Sequence, residues 1–198
     1  MSFLHRAGQY FSAIRAELFG VGGDDYIARY LSDDEQQLWR GQKAPDMAHS
    51  LNVARTADRL QNDDVGNNLS PDERLILLKA ALLHDIGRGR FGSSFAKSLA
   101  VLLTIGRTPA VDNKKPDAQG RPEAMQDFNT GSYRENLLYH YYCHPQIGGK
   151  LLRELYSRYG GQLSSQQERI IRLVEHHRDA DAGDDRLLQL LIEADRRN

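Results

Sequence analysis

Cysteine is nearly absent from this 198-residue chain: Cys143 stands alone. A single thiol excludes an intramolecular disulfide framework and a thiolate-built zinc knuckle, and it fits a reducing compartment. An excess of one charge is absent too. Charged residues make up 27% of the sequence but sum to −1. That balance excludes a chain built to hold polyanions nonspecifically, so nucleic acid is not an expected partner. No long apolar run occurs either. The opening stretch, MSFLHRAGQYFSAIRAELFG, alternates polar and apolar residues at helical spacing, which makes a poor signal peptide and no membrane span. It has only Arg6 and Arg15 as arginines, with Glu17 against them, and is expected to pack on its own domain rather than on a membrane. A soluble cytoplasmic protein is the expectation. Strand-type alternation and internal repeats are also missing, which leaves an all-α reading.

What is present is a series of helix signals. Ser32 with Glu35, and Ser165 with Glu168, read as capping boxes, and Ser70 followed by Pro71 reads as a helix start. Met47, Leu51, Ala54 and Asp58 fall along one side of a helix, with His49 and Val53 on a neighbouring stripe. Residues 77–83 are apolar except for Lys79, and the last helix is rich in leucine. Residues 1–40 read as an N-terminal helical extension and 46–195 as the core of a single domain. Residues 106–132, broken by Pro109, Pro116 and Pro122, read as a loop insertion. Pro145 is expected to mark a helix start, with a break between His140 and His144.

The apolar run ends on His84 and Asp85, followed by Ile86 and Gly87. A His-Asp pair alone is common, and a hydrogen-bonded helix end is the plainer account of any single histidine here. Buried, however, the pair is costly unless each group is bonded or ligated. Four more blocks bear on it. His49 lies on the preceding helix, His144 opens HPQIGG, His176 and His177 close RIIRLVEHH, and Asp195 lies near the end of the last helix. Imidazole nitrogens and carboxylate oxygens suit first-row divalent metals. A carboxylate can bridge two ions through its two oxygens, which makes Asp85 the natural central ligand. His176 and His177 are separated by about 100° on a helix, so both reach one site only at a helix end or across two ions. His140 reads as a packing or substrate-contacting residue, and Cys143 as a small core residue.

The ordered set His49, His84-Asp85, His144, His176-His177, Asp195 resembles the HD-domain superfamily of metal-dependent phosphohydrolases, in which HDIG is a familiar motif. In appearance it is closest to small bacterial single-domain HDIG proteins. The resemblance implies a helical bundle in which His49, His84, Asp85 and Asp195 bind a metal. It further implies that His144 and one or both of His176 and His177 hold a second ion bridged by Asp85. The metal would be iron, manganese, zinc, cobalt or nickel. HD-GYP phosphodiesterases share the histidine pair but continue differently from HHRDADAGDD, which argues against a cyclic dinucleotide substrate. Arg88 stands where a lysine is common and is expected to contact phosphate oxygens, with Arg178 as a second contact. The implied activity is hydrolysis of a small phosphorylated substrate, most simply a nucleotide, by a hydroxide between the metals, with Asp85 and Arg88 as catalytic residues. The alternatives are a metal-containing nucleotide-sensing module without turnover, and oxidative cleavage of a C–C bond at iron. The residues do not indicate an oligomeric state.

Overall fold

The computed structural model describes residues 20–63, 69–88, 133–158, 161–179 and 182–198, with the backbone alone for 63 and 133–142. Among these residues there are helices and no strand, as the sequence predicts. In chain order they are α1 (Asp24–Tyr30), α2 (Asp33–Arg40), α3 (Ala44–Asp63) and α4 (Pro71–Leu83). A 3₁₀ turn (Ile86–Arg88), α5 (Tyr133–Ser157), α6 (Ser165–His176) and α7 (Arg186–Arg197) follow. The opening amphipathic stretch through residue 19, with His5, and the 106–132 insertion lie outside the described residues. No helix among the described residues is long and apolar enough to cross a membrane.

The run that ends in His84 forms the centre. Ile76, Leu77, Leu78 and Ala80 to Leu83 of α4 are all buried, and a helix apolar on every side needs neighbours all round. It has them in α1, α3, α6 and α7. α7 turns Leu187, Leu188, Leu191, Ile192 and Ala194 inward, and α6 contributes Ile170, Ile171, Leu173 and Val174. Each buried leucine, isoleucine or valine among them stabilises the bundle by roughly 1.5–3 kcal/mol through its burial.

The helix starts follow their caps. Ser32 and Glu35 form a reciprocal capping box, and so do Ser70 and Glu73, with Pro71 in the first turn. For α6 the structure corrects the expected register. The box is Ser164 with Gln167, not Ser165 with Glu168. Both pairs have the required spacing in LSSQQE, and the earlier one adds a residue to the helix. Pro145 is a second correction: it lies inside α5 rather than at a helix start. Its missing N–H costs an intrahelical bond, but α5 is held on both sides of it by the 3₁₀ turn and α6. His140 and His144 therefore share one continuous helix.

Two glycines permit this packing. A Cβ on Gly87 would run into the His144 carbonyl, and one on Gly149 would run into the Glu175 side chain. HDIG and HPQIGG are thus the two halves of a close contact. Away from it, the buried Glu35 ties three helices together. Its carboxylate accepts from Lys79 Nζ on α4 at 2.9 and 2.7 Å and from Tyr156 Oη on α5 at 2.7 Å. The backbone N–H of Ser32 donates to it at 2.8 Å.

Candidate metal centre

Five helices, α3 to α7, end at, or pass, one point. α4 delivers His84 as its C-cap and Asp85 just beyond, and α6 delivers His177 as its C-cap. A helix C-terminus leaves carbonyls without intrahelical donors, and both histidines use one. His84 Nδ1 lies 2.8 Å from the Ala81 carbonyl, and His177 Nδ1 lies 2.7 Å from that of Val174. A carbonyl only accepts, so each Nδ1 carries a proton, and in the neutral ring Nε2 keeps its lone pair. This fixes ring orientation, as a hydrogen bond to a carbonyl does for histidines that ligate metal.

Asp85 sits between these nitrogens. Its Oδ1 is 3.1 Å from His144 Nε2 and 3.9 Å from His177 Nε2. Its Oδ2 is 3.3 Å from His84 Nε2 and 3.8 Å from His49 Nε2. Asp195 Oδ1 joins the second group, 2.9 Å from His49 Nε2 and 3.7 Å from His84 Nε2. His49, His84 and Asp85 can converge on one ion, as can Asp85, His144 and His177, or His84, His177 and Asp195. The two oxygens of Asp85 therefore face different sets of donors.

The residues fit a cation. His84, Asp85, His144 and His177 are buried. Yet His84 Nε2 and both Asp85 oxygens make no hydrogen bond, being close to their neighbours but not aligned with them. His144 Nε2 and His177 Nε2 share a 3.2 Å hydrogen bond. The unpartnered atoms cost roughly 1–3 kcal/mol each, and placing N and O donors around a divalent ion removes that cost. Protonation favours ligation as well. Burial, with Arg88 nearby, pushes the His144 imidazole down to about 4, against the pull of Asp85. Burial and the neighbouring His84 and His144 hold His177 well below the usual range. Burial would raise Asp85 and Asp195. Arg88 and His84 outweigh it for Asp85, and the His49 hydrogen bond does so for Asp195, so both carboxyls sit low. Only His84 moves the other way, because the Asp85 carboxylate outweighs burial, and metal binding would release that proton.

Of the residues named from sequence, the structure brings together His49, His84, Asp85, His144, His177 and Asp195. It does not bring in His176. That ring is exposed, with Nδ1 2.7 Å from Asp179 Oδ2. One step along the helix rotates it by about 100° from His177, so the pair does not share the site. Arg88 reaches the cluster, with Nη1 2.9 Å from Asp85 Oδ2. Arg178 lies exposed on the turn after α6, near enough to act on His144. The side chain of His140 lies outside the described residues. Cys143 is buried.

Sequence reasoning missed Asp46. It is fully buried, its Oδ1 is 3.3 Å from Arg88 Nη1, and burial pushes its carboxyl up to about 7. From sequence it reads as an ordinary acid in the first turn of a helix. The sole hint is that it precedes His49 by three residues, one turn away on a similar face.

A family model described as HD-CE matches residues 28–197, a span that holds all six clustered residues and their supporting helices. No curated protein and no solved structure gives a significant match. The family match covers most of the chain and encloses the ordered histidines and aspartates: the chain belongs to the HD-CE family, an HD-type domain as its motifs imply.

Proposed function

We propose that the protein is a metal-dependent phosphohydrolase that cleaves a phosphomonoester or phosphoanhydride, with nucleotides as its substrate class. One observation carries the reading. The buried carboxylate of Asp85 turns one oxygen to His144 and His177 and the other to His49 and His84, with Asp195 beside the second pair. His49, His84, Asp85 and Asp195 would hold one divalent transition metal, and Asp85, His144 and His177 a second. Ions bound in such a cluster make coordinated water acidic near neutral pH and draw charge from phosphoryl oxygens.

The remaining work falls to the chain's own side chains. Arg88, 12% exposed beside Asp85, offers a forked donor that neutralises charge as it develops on the phosphoryl group. Arg178 is a second phosphate contact from the rim. His49 and Asp195 are the partly exposed members of the cluster, at 20% and 27%, so substrate reaches the site from their side. With water as the nucleophile, no thiol or serine is called for.

The test is phosphate release from a panel of nucleotides by metal-loaded protein, with Asp85→Ala as control. Release by the wild type that is lost in the variant supports the reading, and equal release by both would sink it. Tight nucleotide binding without release across the panel would instead favour a sensing module.

A further inference from the structure

The hydrolytic reading leaves Asp46 without a task, although its carboxylate is fully buried in the first turn of α3, one turn before His49. A single nitrogen, Arg88 Nη1, stands between two carboxylates: 2.9 Å from Asp85 Oδ2 and 3.3 Å from Asp46 Oδ1. The other Asp46 oxygen, Oδ2, is buried and accepts no hydrogen bond. The Asp85 oxygen that Arg88 touches is the one facing His49 and His84. A guanidinium and a divalent cation on that same oxygen repel each other, and they compete for its lone pairs.

We infer that Asp46 is a positioning residue, which holds the Arg88 guanidinium at the edge of the metal centre so that a cation can take the Asp85 oxygen Arg88 now contacts. The inference rests on reading the cluster as a metal centre. As Arg88 yields Asp85 Oδ2, Asp46 keeps its hold through Oδ1 and offers Oδ2 to a further guanidinium N–H, making the paired geometry that arginine and carboxylate favour. Arg88 then stays beside the metals with its charge available to a phosphoryl group. A bare carboxylate elsewhere in the protein would not do this, because Asp46 shares α3 with His49 and Arg88 ends the 3₁₀ turn that begins directly after Asp85.

The rival account is that Asp46 acts only as a charge near the site or as a partner for the α3 dipole. The two accounts differ in a double-mutant cycle of metal affinity. Mn²⁺ binding to metal-stripped full-length protein is measured by calorimetry for wild type, Asp46→Asn, Arg88→Gln and the double variant. Asp46→Asn is expected to weaken Mn²⁺ by about tenfold, the lower end of what supporting residues contribute, because Arg88 then rests on Asp85 alone. Arg88→Gln is expected to tighten Mn²⁺, and to do so several-fold more in the Asp46→Asn background than in the wild type. Equal gains in both backgrounds would overturn the inference, as would no response to Asp46→Asn or no Mn²⁺ binding by the wild type. Thermal melts check that each variant folds. If Arg88→Gln does not fold, Arg88→Lys replaces it in the cycle, since its shorter reach also releases Asp85, with coupling of the same sign and smaller size. The titration needs no substrate, so coupling without phosphate release removes the hydrolytic reading and leaves this one standing. Release with additive effects does the reverse.

Discussion

Glu35 and Asp85 are both buried carboxylates, and what surrounds them differs in one respect. Around Glu35 every neighbour is a donor: Lys79 Nζ reaches both oxygens, Tyr156 Oη one, and the Ser32 N–H the other. The cluster is closed, and it pins α2 to α4 and α5. Around Asp85 the neighbours are ring nitrogens and Arg88, and neither oxygen accepts a hydrogen bond. Two of those rings have their Nδ1 protons committed to backbone carbonyls. The same residue types that secure a fold when satisfied internally create a demand for a cation when they are not. A buried carboxylate is therefore read by its partners, not by its burial.

The largest expected effect separates the two clusters by activity. Asp85→Asn should lower metal-dependent phosphate release by on the order of a thousandfold or more, the scale of losing a group central to the chemistry. Its metal-free fold should lose less stability than Glu35→Gln does, because Arg88 keeps Asp46 as a carboxylate partner. Glu35→Gln should do the opposite. It leaves Lys79 without its carboxylate and is expected to cost about 3 kcal/mol in urea unfolding, with Mn²⁺ affinity unchanged. A loss of stability in Asp85→Asn equal to that of Glu35→Gln would dissolve the contrast.

A smaller effect sharpens the metal side. His177→Ala should weaken Mn²⁺ binding by up to about a hundredfold, whereas its neighbour His176→Ala should leave affinity unchanged. Equal losses would return His176 to the cluster.

The pH dependence sharpens the closed side. Burial alone would raise Glu35, but the Lys79, Ser32 and Tyr156 hydrogen bonds outweigh it and hold the carboxyl below its ordinary 4.5. A group held low in the folded state contributes stability above its unfolded value and loses it as pH falls through the folded one. The stability gap between wild type and Glu35→Gln should therefore be constant above about 5 and shrink as pH drops below 4.5. A gap that widens with acid would mean that Glu35 is not held by these bonds.

How much of this was legible beforehand follows from which forces are local. The helices and two of their caps could be read because a capping box spans four residues and an apolar stripe repeats every turn. The members of the cluster were legible because each of the five blocks carries its own histidine or aspartate beside apolar residues. The α6 register was not, since Ser164 and Ser165 both satisfy the pattern. Nor was continuity through Pro145, which depends on the 3₁₀ turn and α6 packing against α5. The choice between His176 and His177 depended on which ring met the Val174 carbonyl, a matter of phase at one helix end. Lys79 and Tyr156 lie 44 and 121 residues from Glu35, and Arg88 lies 42 from Asp46, so no local pattern marks these pairs.

The central claim is that the open cluster exists to hold metal, and elemental analysis of the purified full chain tests it most directly. Wild type and Asp85→Asn are equilibrated with Mn²⁺, passed through a desalting column and assayed for metal per chain. The account expects the wild type to retain up to two ions and Asp85→Asn to retain essentially none, with both proteins folded. Equal retention by the two, or none by the wild type, would contradict it.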